Sequence, residues 1–279
     1  MTTKPSDALW VDGPFPLVPT PVKRPGLKNP DHFYIEAATD MAQAHNVIIR
    51  GLNAIILQAP NVPNSSEEGY KPKDVKDLLS FVQSWTKMVH HHHDVEETYI
   101  FPEMAKFSGD PELMEGPWHE HRLFQGGLEK LLAYATATQP DEYRWVGGMK
   151  EIIDSFSKHL TDHLYAEIDV LLSFGHFDSE GYRKLWIGTH AVASSAGNLR
   201  QKLNMLSDVF PCVYGCNDKT YEGGHSWPEL PWIMPYLIKY WFAIGNGAWR
   251  FCPSDWWCNP RPLTFAPRAK GQNGRADRA

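Results

Sequence analysis

The feature that most constrains the fold is a pair of His-x-x-x-Glu sequences, His93 to Glu97 and His163 to Glu167, which lie far apart in the chain. Residues four apart lie on the same face of an α-helix, so each imidazole points in the same direction as its carboxylate. Both pairs interrupt stripes of apolar residues that repeat with the helical period. The sequence therefore predicts two helices that direct these polar side chains into a shared interior.

Four segments carry apolar residues at helical spacing, and polar or proline-containing stretches separate them. The predicted helices cover residues 31–59, 73–102, 111–135 and 142–172. In the second segment, Pro102 is expected to bend or end the helix. Four long amphipathic helices joined by short loops predict an all-α fold, an antiparallel four-helix bundle.

Three parts of the chain follow from this pattern. Residues 1–30 carry seven prolines, which forbid a long helix and predict an extended arm. Residues 31–175 hold the bundle. Residues 176–279 begin with one more amphipathic stretch, 178–208, and continue as an irregular segment dense in aromatic residues. This C-terminal part either covers an apolar face of the bundle or forms a lid.

The composition indicates a soluble protein with an ample core, because 42% of residues are hydrophobic and 13% are aromatic. A net charge of -6 makes nucleic acid or an anionic membrane an unexpected partner. No apolar signal region opens the chain, and the stretch from Trp232 to Phe251 is interrupted by proline, lysine and glycines. We therefore expect a cytoplasmic location.

Four cysteines lie in the last quarter of the chain, at positions 212, 216, 252 and 258. Their C-x3-C and C-x5-C spacings differ from the usual zinc pattern. Buried free thiols are the favoured interpretation, with disulfides or a structural zinc site as alternatives.

Every predicted helix of the bundle brings a histidine to its apolar side, since His45 and His121 join the two His-x-x-x-Glu pairs. A single inward histidine is usually a hydrogen-bonded core residue. Two buried carboxylates, however, cost on the order of several kcal/mol each unless a partner compensates them. Divalent metal ions supply that compensation, so the joint pattern predicts a two-metal site.

Neighbouring residues leave alternatives open. His90 and His91 are expected on the solvated face of the second helix. His92 with Glu96 has the same spacing as His93 with Glu97 and would occupy the adjacent face. His159, one turn before His163, is a candidate for a ligand or for a residue that supports one.

These residues resemble the hemerythrin-like, HHE cation-binding family, and the aromatic tail is similar to that of its fungal members. The resemblance rests on His45, on the stretch His93–Pro102, on Glu120 with His121, and on the stretch His163–Glu167. It implies a non-haem di-iron centre. In that centre, Glu97 and Glu167 would bridge the ions, and the terminal ligands would be His45, His93, His121 and His163. Manganese or zinc would also suit imidazole and carboxylate donors.

The chain departs from oxygen-carrying members of this family at Gln125, where they place a second histidine of the third helix. Asp94 would fill part of the gap, as an acidic residue does there in some members. A less saturated metal favours an oxidase or oxygenase that activates O2 to attack a small-molecule substrate. The alternative is a non-catalytic protein that stores, senses or carries O2, iron or nitric oxide. The sequence leaves the oligomeric state open.

Overall fold

A computed structural model describes residues 10–21, 29, 31–195, 198, 205–229 and 231–265. Its main elements are helices, which we number in chain order. The helices are α1 (Tyr34–Gln58), α2 (Pro72–Val95), α3 (Phe101–Ser108), α4 (Glu115–Ala137), α5 (Lys150–Asp154), α6 (Ser157–Ser173), α7 (Ser179–Ser195), α8 (Phe210–Cys216) and α9 (Met234–Leu237).

Four of these helices form the bundle. Helix α1 packs on α2 and α6, and α4 closes the ring by packing on the same two neighbours. The apolar residues that set the helical period are buried between them, among them Leu52, Trp85, Leu131 and Ile168. The predicted all-α four-helix bundle is confirmed.

The second predicted helix continues past Pro102. After α2, a π-helical turn spans Glu96–Ile100, and α3 then runs to Ser108. Pro102 lies in the first turn of α3, where a missing backbone N–H is tolerated. The chain stops being helical at Gly109, whose φ of 70° suits glycine. Of the two expectations for Pro102, that it bends or ends the helix, the second is wrong, and a π-helical turn directly precedes the helix that contains it.

The fourth predicted helix is interrupted near its start. A wide turn spans Trp145–Met149, where Gly147 has a φ of 79°. The short α5 follows, and Phe156, with φ -133° and ψ -22°, separates it from α6. From this segment, α6 contributes the inward His163 and Glu167, and Met149, Ile153 and Phe156 add to the apolar core.

The segment 10–21 packs along α1 through two buried asparagines. Asn46 exchanges hydrogen bonds with the backbone of Val18, at 2.7 and 2.8 Å. Asn53 donates to the carbonyls of Val11 and Phe15, both at 2.8 Å. Each side-chain amide satisfies backbone groups of this segment, which forms no long helix or sheet of its own. The division of the chain at residues 30 and 175 stays a prediction.

Beyond the bundle, α7 packs on α1 and α3. The described residues 205–229 and 231–265, here called the later segment, pack on α1 and α2. The sequence predicts one further helix over residues 178–208. The described α7 covers Ser179–Ser195 of it, and residues 196–197 and 199–204 lie outside the described ranges. All four cysteines are buried free thiols, as predicted. Several aromatic residues of the tail are instead exposed, including Trp232 and Trp241. Across the described ranges, no helix has both the length and the apolar character needed to cross a membrane.

Candidate metal centre

Seven histidine and glutamate side chains from all four bundle helices meet in the core. They are His45 of α1, His92 and His93 of α2, Glu96 of the π-helical turn, His121 of α4, and His163 and Glu167 of α6. All but His92 are at most 7% exposed. The side chain of His92 is 17% exposed. A polar cluster so deep in an apolar bundle needs a compensating partner.

Glu96 lies between two groups of ligand atoms. One group contains Glu96 with His93, His121 and His163, and the other contains Glu96 with His45 and His92. In each group, the candidate ligand atoms all lie within 4.8 Å of one another. This arrangement suits two metal ions that share the Glu96 carboxylate.

Glu167 has a similar intermediate position. Its Oε2 is 3.2 Å from Nε2 of His45 and 3.7 Å from Nε2 of His163. These two histidines belong to different groups, so the Glu167 carboxylate also faces both of them. Two carboxylates between two sets of imidazoles would suit a pair of metal ions.

Hydrogen bonds at the outer edge orient three of the imidazoles. Nδ1 of His45 donates to the carbonyl of Leu164 at 2.7 Å, since a carbonyl only accepts. Nδ1 of His121 lies 2.7 Å from Oε1 of Glu97, and Nδ1 of His163 lies 2.9 Å from Oε2 of Glu120. With the proton on Nδ1, each Nε2 turns a lone pair towards the centre, the orientation that metal-binding histidines adopt.

The inward side of this cluster is rich in hydrogen-bond acceptors, and most of them form no hydrogen bond. Among the described residues, Nε2 of His45, both ring nitrogens of His93 and all four carboxylate oxygens of Glu96 and Glu167 are buried and form no hydrogen bond of normal geometry, although Oε1 of Glu96 lies 2.9 Å from Nε2 of His92. In addition, Nε2 of His121 is 3.0 Å from Nε2 of His163. Two lone pairs at that distance repel each other unless a cation lies beside them. The residues therefore fit a metal centre.

Burial also favours the protonation state that metal binding requires. It lowers the pKa of His92 to about 4 and that of His121 to about 3. It lowers the pKa of His93 well below its ordinary value. These imidazoles are neutral at pH 7 and so have lone pairs for a metal. Burial and the neighbouring carboxylate of Glu167 raise the pKa of Glu96 to about 7, because two carboxylates this close resist being charged together.

The structure brings together five of the six predicted ligands: His45, His93, His121, His163 and Glu167. The sixth, Glu97, does not point inward as predicted. Its side chain is 44% exposed, and its carboxylate instead binds Nδ1 of His121. Glu96 takes the buried place, and His92 joins the cluster with it. Of the adjacent-face pair, Glu96 is thus fully buried and His92 lies at the edge of the cluster, while His93 stays inside it.

The remaining candidates lie outside the cluster. Asp94 and His159 are exposed, and His90 and His91 are half-buried. Gln125 is exposed and donates to Glu129 on its own helix. Sequence reasoning did not assign the supporting role of Glu120 or Glu97. The signal available was their position next to inward residues, His121 and Glu96.

A cavity of about 200 Å3, here called the inner cavity, reaches the centre from one side. His92 and Glu96 form its floor, and Trp186 of α7 and Trp227 of the later segment form part of its wall. A small molecule in this cavity would lie beside the half of the centre that contains His45 and His92.

Fold and site together define a helical-bundle protein with a carboxylate- and histidine-rich candidate dimetal centre. The hemerythrin HHE cation-binding domain matches residues 37–174. The chain is also 37% identical to the dimeric xanthone biosynthesis cluster protein R11 of Cryptosporiopsis sp. (strain 8999). That similarity extends over 266 residues, 94% of this chain and 95% of the relative. The chain therefore belongs to the hemerythrin HHE cation-binding family, as the sequence motifs predicted.

The match to the relative extends well beyond the bundle, so the C-terminal segment that walls the inner cavity is part of the shared sequence. The fungal relative agrees with the predicted likeness to fungal members of the family. No solved structure matches the chain.

Proposed function

We propose that this protein is a di-iron oxidoreductase that uses O2 to oxidise an aromatic small molecule. The observation that carries the proposal is the buried cluster of histidines and glutamates, most of whose inward atoms form no hydrogen bond and which meets a cavity on one side. Its proposed ligands are His45, His92, His93, His121, His163, Glu96 and Glu167. Glu97, a bridging ligand by family resemblance, is assigned the support of His121.

Iron is the proposed metal because the mixed imidazole and carboxylate donors suit it, although manganese and zinc accept the same donors. When bound, the two ions would carry electrons from the aromatic substrate to O2. The protein's residues hold the ions at fixed positions, exclude water from the core and present one side of the centre to the inner cavity. Four free thiols agree with the reducing cytoplasm, where we place this chemistry.

An aromatic substrate is supported by two observations. The inner cavity has tryptophan walls at Trp186 and Trp227. The relative is named for dimeric xanthone biosynthesis, and xanthones are aromatic molecules. Nucleic acid and membranes are not part of the proposal.

The alternative is storage, sensing or carriage of O2, iron or nitric oxide without turnover. Such a role needs access for a diatomic molecule or an ion only. A cavity of about 200 Å3 is larger than that, since about 150 Å3 is enough for a benzene ring. The cavity therefore favours the catalytic role.

The test is O2 consumption by iron-loaded protein with a panel of phenols and aromatic ketones. We expect O2 uptake that depends on both iron and the aromatic compound, with either H2O2 or 18O-labelled product when 18O2 is supplied. A Glu167→Gln variant serves as the matched control and should abolish the uptake. Two bound irons without substrate-dependent uptake by any compound would instead support the non-catalytic role.

A further inference from the structure

The wall of the inner cavity that faces the metal ligands comes from outside the four-helix bundle. It contains Trp186 and His190 of α7 and Trp227 of the later segment. The Trp186 and His190 rings lie 4.8 Å apart, and Nδ1 of His190 donates to the carbonyl of Trp186 at 2.8 Å. These side chains are therefore held in place beside the cavity.

One carboxylate of α1, Asp40, lies at the edge of this cavity. The indole of Trp186 donates a hydrogen bond to the Asp40 carboxylate. Burial nevertheless raises the pKa of Asp40. The other nearby surface includes Met41 and Ile100, which are apolar.

Asp40 also lines a second, larger pocket. This outer pocket has a volume of about 580 Å3 and lies between the start of α1 and the start of α7. Polar residues such as His32, Thr39 and Arg183 line it. Because Asp40 lines both spaces, it marks the place where a molecule would pass from the surface towards His92 and Glu96.

We propose that the inner cavity binds one ring of a hydroxylated aromatic substrate and that Asp40 accepts a hydrogen bond from the ring hydroxyl. The ring would lie between Trp186 and Trp227, and further rings of the substrate would extend into the outer pocket. This inference deepens the proposed function and rests on it, because the bound molecule is a substrate only if the protein is catalytic.

The dimensions and chemistry of the two spaces support this substrate class. The volume of the inner cavity exceeds the roughly 150 Å3 of a cavity that binds benzene, but it is below the about 300 Å3 of an ordinary drug-sized pocket. It therefore accepts a single substituted ring. Aromatic and aliphatic walls bind the ring by burial, and Asp40 provides the polar contact that selects a phenol over an unsubstituted ring.

The test measures binding of 4-fluorophenol and fluorobenzene by 19F NMR. The protein is reconstituted with zinc, which is diamagnetic and has no redox chemistry. We expect wild-type protein to prefer 4-fluorophenol. An Asp40→Leu variant should weaken 4-fluorophenol binding about tenfold and leave fluorobenzene binding unchanged. An Asp40→Asn variant, which keeps a hydrogen-bonding oxygen, should retain most of the phenol affinity.

A second variant blocks the cavity instead of changing its polarity. Ala44 lines the inner cavity, and Ala44→Leu should abolish binding of both probes. Ala133→Leu, on the exposed face of α4, is the matched control and should leave both affinities unchanged. Circular dichroism and thermal melting establish that both variants are folded.

Equal binding of the two probes in wild type and Asp40→Leu, or unchanged binding in a folded Ala44→Leu variant, would overturn the inference. These outcomes are separable from the proposed function. Probe binding with the expected variant pattern but no O2 uptake rejects the oxidase role alone. Substrate-dependent O2 uptake that survives Ala44→Leu rejects the binding site alone.

Discussion

Glu96 and Glu97 are adjacent in the chain and have opposite environments. Glu96 is 1% exposed between the two groups of imidazoles, whereas the Glu97 side chain is 44% exposed and binds the outer nitrogen of His121. One carboxylate can therefore contact a metal directly, and the other holds an imidazole in the orientation that binds a metal. Glu120 has the second role for His163.

The supporting role of Glu97 predicts a graded effect. In Glu97→Gln, His121 keeps a neutral partner at Nδ1 but loses the carboxylate that orients it and raises its basicity. We expect two metals to bind with affinity reduced about 10- to 100-fold, as is typical for such partners. Metal titration by competition with a chelator measures this. Glu103→Gln, an exposed control on α3, should keep wild-type affinity; complete loss of metal in Glu97→Gln would contradict the supporting role.

The buried histidines also predict how the stability of metal-free protein depends on pH. His92 and His121 have folded pKa values of about 4 and about 3, below the ordinary 6.5. Their contribution to stability is full above pH 6.5 and is lost as the pH falls, because the unfolded chain binds protons first. The pKa of Glu96 is raised from 4.5 to about 7, so its effect on stability has the opposite sign. Its contribution to stability is lost as the pH rises through that range.

Since several histidines oppose one carboxyl group, metal-free protein should be less stable at pH 5.5 than at pH 7.5. Urea denaturation at the two pH values measures the difference. Glu96→Gln removes the opposing contribution, so in that variant the loss on acidification should be steeper. A metal-free protein whose stability does not fall on acidification would contradict the buried, neutral state of these histidines.

Helical spacing could not choose between Glu96 and Glu97. Positions three and four residues after His93 lie on either side of its direction, at about 60° and 40°. The choice depends on where the bundle axis lies and on the π-helical turn at Glu96–Ile100, which the sequence pattern does not reveal. The other five predicted ligands were placed correctly in the core because apolar neighbours surround each of them on one helix face.

At the scale of elements, α4 and α6 approach each other closely at Gly127. A Cβ atom at this position would lie 2.4 Å from Cβ of Phe156, at the start of α6. Neither atom is the end of a flexible chain, so a larger residue would separate the two helices. His121 of α4 and His163 of α6 lie in the same pair of helices, so this contact also sets their separation.

Gly127→Ala should therefore destabilise the protein by about 1–3 kcal/mol and weaken metal binding. Gly126→Ala is a sharp control, because nothing lies within 4 Å of its Cβ and the residue is exposed in the same helix. The control should gain about 0.5–1 kcal/mol from the higher helix propensity of alanine. Urea denaturation of both variants distinguishes them, and equal stabilisation by the two substitutions would show that the close contact is absent.

The helices themselves were predictable because each one buries a continuous apolar stripe. The interruptions of the helices were harder to predict. The sequence marked Pro102 as a break, but the wide turn before it lets the chain remain helical to Ser108. The break at Phe156 has no proline or glycine to mark it, and it arises where Phe156 packs against Gly127 in another helix. Such a contact is not visible from local sequence.

At the scale of the whole molecule, the later segment contributes side chains to the core. Phe251 is fully buried and lies between Phe81 of α2 and Phe265, with ring centroids 6.1 and 5.1 Å away. Gln58, at the end of α1, donates to the carbonyl of Phe251 at 2.8 Å. The sequence left open whether this segment covers the bundle or forms a lid, and it could not tell buried rings from exposed ones such as Trp241.

Phe251→Ala should therefore cost about 3–5 kcal/mol of stability, as expected for a buried phenylalanine in a well-packed core. Trp241→Ala, at a side chain that is 75% exposed, should change stability by about 0.5 kcal/mol or less. Thermal unfolding of the two variants provides the comparison. Similar melting temperatures for both would mean that the segment does not pack on the bundle.

Glu96 and Glu167 are assigned a place between two metal ions in the bundle core, and metal stoichiometry tests this assignment most directly. Iron per chain is measured for wild type, Glu96→Gln, Glu167→Gln and Glu97→Gln after reconstitution and removal of free metal. We predict about two irons in wild type and in Glu97→Gln, and loss of at least one iron from each of the other two. Full iron content in Glu96→Gln and Glu167→Gln, or no iron in the wild type, would contradict the assignment.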